Sequence, residues 1–483
     1  MTSPRPERKP GWAVSLLPFL LLVSLLFCVI RFFGADALAG GSQVALLLSA
    51  GVVIVISLFV YKTPWETLEK AMADNIRSIG TAVIILLLIG AISGSWMVSG
   101  IVPTLIYYGL KILSPKIFLL AVCVICALVS LMTGSSWTTI ATIGVAFIGI
   151  GAALGFSPGW TAGAIISGAY FGDKISPLSD TTILASSVSE TPLFTHIRYM
   201  LITTVPSIAI TCVVFTLVSV FHTGVDSMQA EEFSRALQQS FNISPWLLLV
   251  PVAVGFLIYR KVPPLITLMA AALLAGVAAL IAQPDHIAAI GGSSSGLDFA
   301  SGFKGLFITF YGDTAVETGS AALDELICTH GMNGMLSTVF LIFCAATFGG
   351  VMSGAGMIQS ITEMLTRRIR RRTSLVASTV GTGIFADMVT GDQYLSIILT
   401  ANLYKGLYDE LGYESRLLSR STEDSATVTS VLIPWNSCGM TQATVLKVPT
   451  LEYLPYCIFN IISPLMSIFI AATGYKIFRR RQA

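Results

Sequence analysis

The chain has 483 residues, of which 54% are hydrophobic and only 11% charged, and its mean hydropathy is +0.81. A soluble domain carries about 25% charged residues, so the composition excludes a water-soluble globular protein. The net charge of +2 gives no basis for a nucleic-acid partner.

Read from the N-terminus, four apolar stretches stand out: 12–33, 44–61, 79–102 and 262–281. Each reaches the roughly 20 residues that a membrane helix needs. Arg5, Arg8 and Lys9 before the first stretch, and Ala37-Leu38-Ala39 after it, resemble a secretory signal. The apolar run is longer than the core of such signals, about 7–15 residues, so a retained first helix is expected. Cys123 and Cys126 form a C-x-x-C on an apolar helix without a histidine or acidic companion, which reads as packing rather than a metal or redox pair. The four histidines are scattered and suggest no metal centre.

Midway through the first half, Gly172-Asp173-Lys174-Ile175-Ser176-Pro177-Leu178-Ser179-Asp180-Thr181-Thr182 interrupts apolar sequence. Acidic side chains at membrane depth are costly and mark function. Gly172 and Pro177 are expected to break the helix and free carbonyls, an arrangement tolerated only where it is enclosed by protein or lines a cavity. Asp180, followed by two threonines and an apolar run, also looks like a helix N-cap.

In the outer loop 284–330, Gly292-Ser293-Ser294-Ser295-Gly296 fits G-x-S-x-G. It lacks the strand–turn–helix setting of a nucleophile elbow. No Walker A sequence and no filter motif occur, so an enzyme, an ATP-driven pump and a channel are all disfavoured. No cofactor is expected.

The second half repeats the theme. Thr390, Asp392 and Gln393 form a polar cluster, with Asp387 one turn earlier. Then Ser419-Arg420-Ser421-Thr422-Glu423-Asp424-Ser425-Ala426-Thr427 leads to Pro434-Trp435-Asn436, and this segment too is expected to be unwound. Hard cations prefer oxygen ligands, and these segments combine carboxylates, hydroxyls and freed carbonyls. The candidate ion- or substrate-binding residues are therefore Asp173, Ser176, Asp180, Thr181, Thr182, Thr390, Asp392, Gln393, Ser419, Arg420, Glu423, Asp424, Thr427 and Asn436. Asp173, Asp180, Glu423 and Asp424 are the candidate Na+ ligands.

Two landmarks link the halves. Gly100 and Gly356, ending Gly/Ser-rich helices, lie 256 positions apart, and Thr133 and Thr390 lie 257 apart. With the N-terminus placed in the cytoplasm, seventeen lysines and arginines fall in inner segments and four in outer ones. This satisfies the positive-inside rule, puts both termini in the cytoplasm and makes the number of crossings even. The loop at 103–116 is sparse in charge whereas its counterpart at 359–373 is arginine-rich, so the two repeats have opposite orientation. The expected fold is an all-α polytopic membrane protein with two inverted-topology repeats and broken helices or re-entrant hairpins. Residues 1–78 form N-terminal helices, 79–222 the first repeat, 223–330 the connection, and 331–483 the second repeat and tail.

Gly-Ala-Tyr-Phe-Gly-Asp-Lys-Ile-Ser-Pro-Leu-Ser-Asp-Thr-Thr at 168–182 closely resembles the signature of the NhaC-type Na+/H+ antiporter family. Leu418-Ser419-Arg420, Glu423-Asp424 and Ile433-Pro434-Trp435-Asn436 resemble its second motif. The resemblance implies an ion-transporter-superfamily fold in a bacterial-type inner membrane, with Na+ and H+ as transported or coupling ions. It also implies malate/lactate or amino acids as substrates in some members, so carriage of a small carboxylate or amino acid, with Arg420 as its partner, is the alternative. Ile183 departs from the family pattern, which often has Asn there. Membrane lipid is the expected surroundings, and a homodimer is kept as an assembly option.

Overall fold

The computed structural model describes residues 10–33, 40–222, 227–260, 262–293, 296–316, 318, 324, 327–366, 369 and 371–479. Arg5, Arg8, Lys9, Ala37-Leu38-Ala39, Lys261, Ser294, Ser295, Arg367, Arg368, Arg370, Arg480 and Arg481 lie outside the described residues.

The described chain is helical. The first half comprises α1 (Trp12–Phe33), α2 (Gly41–Tyr61), α3 (Trp65–Ser78), α4 (Gly80–Val98), α5 (Ile101–Ile112), α6 (Phe118–Thr133), α7 (Ser136–Ala153), α8 (Pro158–Ile175), α9 (Asp180–Val188) and α10 (Leu193–Phe221). The connection holds α11 (Ser227–Ser240), α12 (Leu249–Tyr259), α13 (Pro264–Ala282), α14 (Pro284–Ile290) and α15 (Phe299–Tyr311). The second half follows with α16 (Leu336–Gly354), α17 (Met357–Thr366), α18 (Arg372–Thr390), α19 (Gln393–Glu410), α20 (Ser415–Thr422), α21 (Ser437–Leu446), α22 (Thr450–Tyr453) and α23 (Ile458–Thr473). Among the described residues eight helical stretches are long and apolar enough to cross a bilayer, or up to ten when two bent pairs are counted as spans. Phe27, Phe221, Trp246 and Phe299 are at least 70% exposed, while Asp173, Lys174, Asp387, Asp392, Arg420, Glu423 and Asp424 are buried. Apolar outside and charged inside is the arrangement of a multi-pass membrane protein.

The landmark offset extends through the local geometry. Gly100 and Gly356 both adopt left-handed backbone after α4 and α16, at φ 80° and 68°. Gly134 and Gly391 do the same between α6 and α7 and between α18 and α19, at φ 66° and 68°. Around each of these turns a threonine hydroxyl, Thr133 or Thr390, donates to the carbonyl two residues on and accepts from that residue's N–H. Ser179 caps α9 and Asn436, 257 positions later, caps α21. Glu190 and Lys447, again 257 apart, hold φ of 52° and 55° just before Pro192 and Pro449.

Three local expectations change. Gly172 does not break a helix, because α8 runs on to Ile175. An added Cβ at Gly168 or Gly172 would stand 2.1 or 2.2 Å from the Cys123 or Ala127 carbonyl oxygen, so these glycines let α6 and α8 touch backbone to backbone. The N-cap of α9 is Ser179, with Asp180 its first helical residue. The acidic segment of the second half stays helical, passing from α20 into a π turn over Glu423–Thr427, and the extended backbone comes later, at Ile433 and Asn436.

Candidate functional site

The breaks between α8 and α9 and between α20 and α21 bring their polar residues to the two glycine turns. The Ser437 N–H donates to the Gly391 carbonyl at 2.8 Å. A Cβ on Gly134 would meet the Leu178 backbone at 2.7 Å, so the turn and the break are in contact in the first half too. The contact at Gly134 leaves no room for a side chain, and the left-handed backbone of both turns favours glycine.

Asp424 is the hub of the site. Its Oδ1 takes the Lys174 ammonium and accepts from Thr203 at 3.1 Å and Ser463 at 3.3 Å. The Arg420 Nε lies 3.8 Å from its Oδ2, without forming a hydrogen bond, and the guanidinium stacks 4.7 Å over the Tyr199 ring. Lys174, Arg420 and Asp424 are all fully buried. One turn from Thr427, the Glu423 carboxylate is also fully buried, and neither oxygen has a hydrogen-bond partner among the described residues. Its polar neighbours include Lys174, Asp173, Thr181 and Thr427.

Two further carboxylates occupy helix starts. Asp173 Oδ2 accepts from the Ser136 N–H at 3.1 Å and its hydroxyl at 2.7 Å, at the positive end of α7. Asp392 Oδ1 caps α19 through the Leu395 N–H at 3.0 Å. Asp387 accepts from Thr429 at 2.9 Å through one oxygen, and its other oxygen has no hydrogen-bond partner among the described residues. A cavity of about 620 Å³ reaches this region, with Ser135, Asp173, Asp180, Thr181, Ile183 and Gln393 in its lining.

The sequence-predicted residues divide into groups. Asp173, Asp180, Thr181 and Gln393 line the cavity, where Asp180 is exposed. Arg420, Glu423, Asp424 and Thr427 form the enclosed cluster. Ser176 and Thr182 brace the first break, donating to the carbonyls of Leu131 at 2.8 Å and Lys174 at 3.0 Å. Thr390 shapes its turn, Asn436 caps α21 and donates to the Asp387 carbonyl at 3.1 Å, and Ser419 bonds His196 at 2.7 Å. The four candidate Na+ ligands do not form one cage: among the described residues no three His, Cys, Asp or Glu side chains gather as a metal site. Sequence reasoning missed Lys174 and Asp387 as site residues although both stand inside the quoted polar segments. Thr203 and Ser463 come from α10 and α23, where nothing in the sequence marks them.

The sequence model described as "Na+/H+ antiporter family" matches residues 12–187 and 168–475. The chain is 36% identical over 409 residues to the Na(+)/H(+) antiporter NhaC of Bacillus subtilis, covering 84% of this chain and 87% of that protein. It is 34% identical over 434 residues to the malate-2H(+)/Na(+)-lactate antiporter of Bacillus subtilis, covering 89% of each. It is 31% identical over 481 residues to the arginine/ornithine antiporter ArcD of Halobacterium salinarum, covering 98% of this chain and 94% of that one.

Proposed function

Because the chain belongs to the Na+/H+ antiporter family, we propose that it is a secondary active transporter, not an enzyme, exchanging Na+ for H+ across a bacterial inner membrane. One observation carries this reading. The chain buries five carboxylates, Asp173, Asp387, Asp392, Glu423 and Asp424, but among the described Lys and Arg side chains only two fully buried cations, Lys174 and Arg420. Three negative charges are left over at membrane depth, where an uncompensated charge is expensive. Protons or Na+ must fill that deficit, and they cannot hold the same carboxylate oxygens together. A carrier that reorients only when the deficit is filled exchanges one cation for the other.

Two inverted repeats, 79–222 and 331–478, supply the moving frame, with 1–78 and 223–330 as surrounding helices. The charge distribution and the matched turns 257 positions apart support this organisation. Both termini are then cytoplasmic. The cavity is lined by Ile258 and by 262–264, next to the inner-segment Arg260, which supports a cytoplasmic opening.

The organic-anion alternative has one observation in its favour: the three Arg420 nitrogens make no hydrogen bond among the described residues. Against it, Arg420 is stacked on Tyr199 and does not line the cavity, whose charged lining residues are Asp173 and Asp180.

The test is proton movement in proteoliposomes free of organic solute, with Na+ added outside at several pH values. Exchange predicts Na+-dependent release of luminal protons. The apparent Na+ affinity should weaken as pH falls, because protons then occupy the carboxylates. No proton movement, together with Na+-stimulated uptake of a labelled dicarboxylate or amino acid, would replace this reading with the alternative.

A further inference from the structure

The repeat correspondence extends to the cavity itself. Ala82 of α4, at the 256-position offset that relates Gly100 to Gly356, and Ser187 of α9, at the 257-position offset, both line the open cavity. Their counterparts are Thr338 of α16 and Thr444 of α21, and these two hydroxyls hydrogen-bond to each other at 2.8 Å. Leu184 lines the cavity, whereas its counterpart Thr441 is fully buried and donates to the Ser437 carbonyl at 2.6 Å. Asp180 is exposed there, whereas its counterpart Ser437 is 1% exposed. Ser135 lies in the cavity wall, and its counterpart is the buried Asp392. The same set of positions is open in one half and shut in the other.

We infer that the protein has a second access path, closed in this structure, which runs between α16 and α21, is sealed by the Thr338–Thr444 hydrogen bond and ends at Asp392. The inference rests on the two-repeat Na+/H+ reading above. The floor of this path is chemically distinct from that of the open cavity. An ion entering from the cytoplasm meets Asp180 and then Asp173. One entering by the second path meets Asp392, with the Ser437 hydroxyl 3.5 Å from its Oδ2 and Asn436 beside it. Carboxylate, hydroxyl and amide oxygens suit a hard monovalent cation or a proton. A hydroxyl–hydroxyl contact is a fitting seal, since water can replace both bonds when α16 and α21 separate.

The experiment uses the full chain with its eight native cysteines replaced and transport retained. Thr441→Cys reports on the path, Leu184→Cys reports on the open cavity, and the pair Thr338→Cys/Thr444→Cys closes the seal by oxidation. An impermeant thiol reagent is applied to each face of the vesicles in turn. Cysteine at 441 should label from the outer face, lose that labelling when the 338–444 pair is oxidised, and regain it on reduction. Cysteine at 184 should label from the cytoplasmic face throughout. Unchanged labelling at 441 after verified oxidation overturns the inference, as does failure of 441 to label from either face. Because the labels read accessibility, absence of Na+/H+ exchange would remove the ion assignment while leaving the path to stand or fall on the labelling. Labelling at 441 from the cytoplasmic face that oxidation still blocks would keep the path and reverse the orientation.

Discussion

Asp424 holds the Lys174 ammonium and stands 3.8 Å from Arg420, all three fully buried. Removing one partner of a buried ion pair costs about 3–5 kcal/mol, because it strands the other charge. The two partners of this pair are not equivalent. In Lys174→Met, Asp424 keeps Arg420, and at 3.8 Å with an effective dielectric near 20 that attraction amounts to roughly 4 kcal/mol. In Asp424→Asn, Lys174 and Arg420 are left together without their shared anion, and only Lys174 has Glu423 nearby. We therefore expect Asp424→Asn to lower the thermal midpoint in detergent further than Lys174→Met. Adding Lys174→Met to Asp424→Asn should recover stability, since it deletes one of two stranded cations. Unfolding followed by tryptophan fluorescence in a single detergent gives all four corners of the cycle. If Lys174→Met proves the more damaging single change, or if the double variant is less stable than Asp424→Asn, the hub assignment is wrong.

Three further expectations follow from the geometry. Cysteines placed singly at Tyr108, Ala300, Ile369 and Gln482 should label from outside, outside, inside and inside; labelling of 108 and 369 from the same side would contradict opposed repeats. Glu423→Gln and Asp173→Asn should abolish Na+-dependent proton release, while Asp180→Asn, at the exposed mouth of the site, should chiefly raise the Na+ concentration for half-maximal exchange. Full Na+ coupling in all these variants and in Asp424→Asn would rule out the carboxylate assignment. Gly391→Ala forces a side chain into φ 68° and within 2.7 Å of the Ala345 Cβ, and the left-handed backbone alone costs about 1–2 kcal/mol. It should lower the thermal midpoint and slow exchange, whereas Gly381→Ala, inside α18 with open space at its Cβ, should lower neither.

Much of this was legible in the sequence because membrane helices and their interruptions leave compositional marks. Apolar runs gave the spans, and the acidic residues within them singled out Asp173, Glu423 and Asp424, which the fold buries. Less legible were choices between local competitors. Ser179 and Asp180 are both good N-caps, and the chain uses Ser179, which leaves Asp180 free to face the cavity. Gly172 reads equally as a helix breaker or a close-packing residue, and only the Ala127 backbone opposite decides. The π turn at Glu423–Thr427 keeps the acidic segment helical, and nothing in its residue types announces the extra residue in that turn. Thr203 and Ser463 are ordinary hydroxyls on apolar helices. They become part of the site only because α10 and α23 happen to carry them past Asp424.

On the two-repeat reading, the carboxylates obey a simple rule. Asp173 corresponds to Ser430, Asp180 to Ser437, Asp387 to Ser130, Asp392 to Ser135 and Asp424 to Ser167, each 257 positions away; Glu423 alone corresponds to an apolar residue, Ile166. At five stations, then, one repeat keeps an acid where the other keeps a hydroxyl. Two acids at matched positions would set like charges at equivalent depths, which low-dielectric surroundings penalise. Acid opposite serine avoids this while leaving an oxygen ligand in both repeats. The two buried cations follow the same logic, since Lys174 corresponds to Val431 and Arg420 to Gly163, so neither has a charged twin. A duplicated frame with singly charged stations can therefore present carboxylate to either face of the membrane without pairing like charges at matched depths.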